Sequence, residues 1–406
     1  MLPVAVGAHR PLVSTKGAIV GFEFRIADAA LQRLRERADP AAAAAGTTAV
    51  LAAMRLTAQR GQVAFSELPA GWLARAGHEA LQPGMHIALA ARGTDDPPAA
   101  ELPGLLAAWR GAGASIGWRP GATPDGLPPE ARPDFLLFHA IDGAIAALID
   151  VLRSQRTADP ALPLVVLDLP GIDALEAALF VGVNLAACSL DGSLEPKEAR
   201  ALPAQVQQLL RLMSRLARDA DTAEVVAAIK ADVGLSYRLL RQLNSAALNP
   251  NGDELGSIEQ AVALLGRNEL YRWVSVLLVR QAPARPASSA LQSMALARAR
   301  FFELLAEARG EAAAGALFTM GLASMLPQLL QARLDDALAS LQLHPQAAAA
   351  LLDREGPWTA YLTLAEVLDE GDLVEGAALA EAFGGLPQVL SLSAKAWLFA
   401  SQATKA

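Results

Sequence analysis

A chain of 406 residues exceeds what one hydrophobic core usually needs, so two domains are expected. Apolar residues make up 53% and charged ones 19%, which excludes a disordered chain. A formal charge of −8, with no block of five basic residues, argues against tight sequence-independent binding to nucleic acid.

The N-terminal stretch MLPVAVGAHRPLVSTKG lacks the basic start, apolar middle and cleavage site of a signal peptide, and no window offers 18 uninterrupted apolar residues. A soluble, cytoplasmic chain without a membrane partner is therefore expected. Val4–Val6 and Ala18–Arg25 are β-like runs flanking Ser14-Thr15-Lys16-Gly17, a hairpin signal. A helix around Thr47–Ala58, a strand at Gln62–Phe65, a helix around Leu68–Ala76 and a strand at His86–Ala90 follow. A helix near Leu105–Gly111 leads to strands at Ala114–Trp118, Phe135–His139 and Leu164–Leu167. Strands alternating with helices imply parallel pairing in an α/β layer or barrel. About 190 residues is short for one TIM-type barrel, so some elements should be abbreviated.

From about residue 200 the pattern turns wholly helical. SLDGSLEPKEARA reads as a polar linker, and Val206, Leu209, Leu210, Met213 and Leu216 then share one helical face. Asp221 with Glu224 marks a second helix start, Asp232 a third, and Ser257 with Gln260 a fourth that stops near Gly266. The third helix carries Leu235, Leu239, Leu243 and Ala246. A soft break falls at 281–290, and Pro327, Pro345, Pro357 and Pro387 lie near helix boundaries. No repeat of fixed period is present.

The phrases Leu202-Pro203, RLLRQLNSAAL and SIEQAVALLG resemble the HDOD domain, closely over about 80 residues and loosely to the C-terminus. HDOD domains are relatives of HD phosphohydrolases that have lost the metal site. Where an HD enzyme carries its His-Asp pair, this chain reads Gly321-Leu322-Ala323-Ser324-Met325, which offers no good ligand for a divalent metal. Upstream, VGFEFRI and LVVLDLPGIDALEAALFVGVNLAACSL resemble an EAL domain, with Leu175 and Gly182 as anchors. The EAL resemblance implies a TIM-like barrel that hydrolyses cyclic di-GMP with two carboxylate-held metals. Read residue by residue, the resemblance places Glu23 at the motif glutamate. It places Leu167, Pro170, Ala187, Ala88 and Leu137 where polar or charged groups belong, Arg119 and Pro120 at the Asp-Asp pair, and VAFSEL where an asparagine is due. Only Glu23 is left, as a relic, and one carboxylate cannot hold two divalent metals.

The remaining polar residues suggest no other chemistry. Cys188 is the only cysteine, so it can form neither an internal disulfide nor a cysteine-rich zinc site; it reads as a small buried hydrophobe in a reducing compartment. His78, His86 and His139 show no metal-ligand spacing, and His139 reads as a polar residue at a strand end. Glu23 itself reads as a solvated or salt-bridged strand-end carboxylate. Asn244-Ser245 reads as a helix-end pair or a partner contact. Gly111 to Gly126 lacks the Lys-Ser of a phosphate loop. The expectation is a degenerate EAL-like barrel at 1–190, a linker at 191–201 and an all-helical HDOD domain at 202–406, with core helices at 202–280 and further helices at 290–406. No catalytic residue, metal or cofactor is assigned. The function expected is signal transduction through another protein, with self-association compatible; the alternative is a non-hydrolysing sensor of cyclic di-GMP or a related nucleotide.

Overall fold

The computed structural model describes residues 9–25, 40–90, 96–124, 127, 131–140, 144–189, 200–218, 220–244, 257–339, 341 and 343–405. Val4–Val6, Ser245, Ala246 and most of the linker at 191–201 lie outside them. Contacts divide the chain into two compact units. The first holds Met1–Asp191, Arg285–Ala290 and Ala360–Ser391; the second holds Gly192–Ala284, Leu291–Thr359 and Leu392–Ala406. This differs from a single boundary near 191–201. The last stretch is helical like its neighbours, so periodicity alone assigns it to the helical region.

The first unit is a nearly closed eight-stranded barrel. Strands β1 (His9–Ser14) and β2 (Ile19–Phe24) form the expected hairpin, although its first arm is not Val4–Val6. Strands β3 (Val63–Leu68), β4 (Met85–Leu89), β5 (Ser115–Gly117), β6 (Leu136–His139), β7 (Leu164–Leu169) and β8 (Leu185–Cys188) complete the sheet in the order β5-β4-β3-β2-β1-β8-β7-β6. A parallel bridge between Trp118 and Leu136 brings the two edges together. β1 runs antiparallel to both its neighbours, and every other pairing is parallel. Helices α1 (Pro40–Gln59), α2 (Ala70–Ala76), α3 (Leu102–Gly111), α4 (Ile145–Ala158) and α5 (Ile172–Phe180) form the crossovers that parallel strands require. Among the described residues no helix joins β5 to β6.

Alternation along each strand decides what fills the interior. Leu12, Phe65, Ala88, Phe135, Leu137, Val165, Leu167, Leu185 and Ala187 pack together as its core. Ala88, Leu137, Leu167 and Ala187, which the sequence resemblance set against polar or charged positions, are packing residues here. The same inward parity carries on, at the C-terminal ends of the parallel strands, to Glu23, Glu67, Arg119 and His139, and in the antiparallel β1 to Arg10. A packed apolar floor thus supports a charged mouth.

The second unit is helical: α6 (Ala204–Ala217), α7 (Thr222–Lys230), α8 (Val233–Leu243) and α9 (Ile258–Val279) come first. Val206, Leu209, Leu210, Met213 and Leu216 are all buried, as their spacing predicts, and so are Leu235, Leu239 and Leu243. The capping residues act as read. Asp221 accepts from Ala223 N at 3.2 Å, Asp232 from Leu235 N at 2.9 Å and Ser257 from Gln260 N at 3.2 Å. Each such cap is worth about 1 kcal/mol. The fourth helix does break at Gly266, whose φ of 71° is left-handed, but a new helical segment begins at the next residue. Helices α10 (Ser288–Arg309) and α11 (Ala314–Ala323) follow.

Candidate functional site at the barrel mouth

Three carboxylates meet at the mouth, and each is held by arginine. Arg10 is buried at 3% exposure and donates from Nε and an Nη to Glu23 Oε2, at 2.9 and 2.7 Å. The same Nη donates to Asp168 Oδ1 at 2.8 Å. Arg25 donates to Glu23 Oε1 at 2.7 Å and also to Asp168 Oδ1. Across the mouth, Arg119 donates from Nε and Nη to Glu67 Oε1 at 3.2 and 2.9 Å and to Oε2 at 3.0 Å. His139 joins the two groups. Its Nδ1 lies 2.6 Å from Asp168 Oδ2, and its Nε2 stands 3.2 Å from Glu67 Oε2 at an angle that makes an ion pair without a hydrogen bond.

The charges set one another's proton affinity. Burial opposes ionisation of Asp168, but His139, Arg10 and Arg25 overcome it and hold the carboxyl well below the usual carboxylate range. Burial likewise opposes charge on Glu67, and His139 with Arg119 lowers its pKa nonetheless. For His139 burial works against the imidazolium, yet the two flanking carboxylates, Asp168 first, raise its pKa above the ordinary value. Cys188, at the end of β8, is fully buried, and burial pushes its thiol up to about 12, so it is not a nucleophile at neutral pH.

The sequence reading singled out Glu23 and neither Glu67 nor Asp168, which the structure brings to the same mouth. Glu67 lies two residues beyond the buried Phe65 in VAFSEL, so strand parity could have found it. Asp168 carries no such signal. It sits in a register shift between Val166 and Leu169 of β7 with a φ of 61°, a conformation asparagine and aspartate tolerate better than most residues. The irregularity lets Asp168 reach the mouth although its neighbour Leu167 faces the core. Glu23 is salt-bridged, as one half of its reading has it, but at 3% exposure it is not solvated. His139 is more than a strand-end polar residue, being the hinge between two ion-paired clusters. His86 and His78 are not part of the mouth network.

A metal pair of the kind the EAL resemblance implies needs carboxylate oxygens free to turn toward a cation. Here both oxygens of Glu23, Glu67 and Asp168 already face guanidinium or imidazole groups. Those cations would repel a divalent ion placed among them. The residues present do not fit such a metal, and among the described residues no group of three His, Cys, Asp or Glu side chains is arranged to hold one.

In the second unit Gly321, Leu322, Ala323, Ser324 and Met325 are buried in and just after α11. Ser324 Oγ donates to Gly321 O at 2.8 Å, a local helix bond. His344 accepts from Gln346 N through Nδ1 and caps a short helix at Pro345–Ala348. Asn244 closes α8 as a helix-end residue. No helix among the described residues is long and apolar enough to cross a membrane.

Residues 200–354 match the family model of the HDOD domain. The "Uncharacterized protein YuxH" of Bacillus subtilis is 28% identical over 146 residues, 36% of this chain and 36% of that protein. The "Cyclic di-GMP phosphodiesterase CdgJ" of Vibrio cholerae is 28% identical over 155 residues, 38% of this chain and 35% of that protein. The match thus spans about a third of each of these curated relatives. Among solved structures, an EAL domain protein from Listeria monocytogenes is similar over 45% of this chain and 85% of that chain, with 12% identity and a TM-score of 0.33. BlrP1 of Klebsiella pneumoniae, in complex with calcium and cyclic di-GMP, is similar over 45% and 54%, with 15% identity and a TM-score of 0.34.

Proposed function

We propose that this chain, which carries an HDOD domain at 200–354, is a non-catalytic signal-transduction protein that acts by binding another protein, its barrel being a former phosphodiesterase site closed by its own side chains. The observation that carries the reading is the arginine occupancy of the mouth: Glu23, Glu67 and Asp168 are each committed to guanidinium groups. A two-metal hydrolase needs the opposite arrangement, an excess of free carboxylate around the cations that activate water. With three arginines matching three carboxylates, the mouth gains no net negative charge that would draw a metal in.

The experiment is a hydrolysis assay of cyclic di-GMP with the full chain in magnesium and in manganese, beside calorimetry with the same nucleotide. No turnover is expected in either metal. Turnover that disappears in Glu23→Gln would overturn the proposal. Micromolar binding without turnover would replace the protein-binding role with that of a nucleotide sensor. The partner is sought by capture from the native cell with the full chain as bait, and a stoichiometric complex with a second signalling protein is expected.

A further inference from the structure

The second unit contains a cavity of about 760 Å³, within the size range of small-molecule sites. Its wall is built from the end of α6, the helical segment that restarts after Gly266, the C-terminal half of α10, the first turns of α11, and Leu343 with His344. Nothing in the barrel network contributes to it.

The wall is asymmetric in charge. Its two carboxylates are already ion-paired: Glu303 with Arg272 and Arg300, Glu307 with Arg300, which stands outside the lining. On the cationic side, the Arg218 side chain makes no ion pair or hydrogen bond among the described residues. Arg272 also lines the wall and uses its terminal nitrogens on Glu269 and Glu303. An unpaired guanidinium on a cavity wall points to an anionic acceptor that is not part of the chain.

His344 and the start of α11 line the same space. His344 accepts from Gln346 N at Nδ1, which leaves Nε2 to carry a proton, and stacking on Trp358 at 4.7 Å fixes the ring. The first turn of α11 has no side-chain cap at Ala313, so the partial positive charge of that helix end is left to the cavity. Apolar atoms of Leu216, Phe318 and Leu343 line the remainder.

We propose that this cavity binds a small phosphate-bearing molecule of mononucleotide size, its anionic group held by Arg218 against the start of α11. The proposal does not rest on the reading of the barrel, and either can fail alone.

Calorimetry on the full chain, with inorganic pyrophosphate and with adenosine monophosphate as probes, tests it. Binding of at least one probe well below about 1 mM is expected. Arg218→Ala should weaken it about tenfold, the loss of one charge-assisted contact. Gly315→Leu should abolish it. A Cβ at Gly315 meets no atom within 4 Å and the backbone there is not left-handed, so the new side chain enters the cavity without disturbing the fold. Melting both variants alongside the parent checks that they fold. Failure of both probes to bind, or binding that survives either variant, would overturn the assignment.

Discussion

Asp168 accepts from Arg10, Arg25 and His139 at once, so it is the residue on which the mouth depends. Removing it leaves the buried Arg10 with one partner, and His139 without its hydrogen bond. Breaking a buried ion pair from one side costs roughly 3–5 kcal/mol; since Asp168 is 28% exposed and Arg10 keeps Glu23, about 2 kcal/mol is expected for Asp168→Ala by urea unfolding. A loss below about 0.5 kcal/mol, the size typical of surface substitutions, would mean that the network adds little. His139 supplies a dependence on pH. Its folded pKa is raised above the ordinary 6.5, so its contribution is complete below that value and fades as pH rises through the folded pKa. Glu67 and Asp168 are shifted the other way and lose their contribution only in acid. Burial lowers the pKa of His86, which therefore acts only below pH about 6.5. The melting temperature should accordingly fall as pH rises above about 6.5, and His139→Gln should flatten that slope. An unchanged slope in the variant would remove His139 from the account. Little of this was legible in the residues. Glu23 and Arg119 were placed by the resemblance, and Glu67 is recoverable from parity, but Asp168 depends on a local irregularity that no periodicity announces.

At the scale of elements, the signals that proved readable are those written within a few residues. Asp221, Asp232 and Ser257 cap the helices they precede, and Ser14-Thr15-Lys16-Gly17 turns the hairpin, because each depends on local hydrogen bonds. The soft break at 281–290 was legible as a break but not as an attachment. There Arg285 makes a bidentate pair with Glu176 of α5, at 2.7 and 2.8 Å, and Glu176 also accepts from Ala287 N at 3.0 Å. Further along, Ala290 N donates to Gly17 O in the hairpin turn at 2.9 Å. Glu176 thus makes the strap's bidentate tie to the barrel, beside the Asp173 ion pair with Arg285 and the Gly17 contact, through partners more than a hundred positions away that no local pattern could name. Glu176→Ala should release it, and limited trypsin digestion should then cut after Arg280 several times faster than in the parent chain, the Arg285–Pro286 bond being resistant to trypsin. Equal cleavage rates would show that the rest of the segment holds it without Glu176.

For the whole molecule, the decisive segment is Ala360–Ser391, which belongs by its contacts to the barrel unit. Helical periodicity could not assign it, since a helix packed beside a barrel has the same apolar stripe as one in a helical bundle. Its burial is substantial: Tyr361, Leu364, Phe383 and Val389 are each at most 2% exposed. Its turn at Gly371 lies beside the mouth, for a Cβ there would stand 3.2 Å from Arg25 Cδ. A fragment of residues 200–406 would therefore carry this segment and the strap at 285–290 without the barrel that belongs with them. The remaining helices keep their own buried faces, on α6, α8 and α9 among others, so the fragment should stay helical. Apolar surface freed from its neighbours favours aggregation or loose packing. The expected result is a fragment with helical circular dichroism, a broad melt and binding of a hydrophobic dye, beside a full chain that melts sharply and binds none. Residues 1–191 alone should fare worse, because the barrel then lacks two segments of its own unit. If the 200–406 fragment instead unfolds in one sharp transition without binding dye, Ala360–Ser391 must be satisfied within the helical region, and the boundary near 191–201 is the true division of the chain.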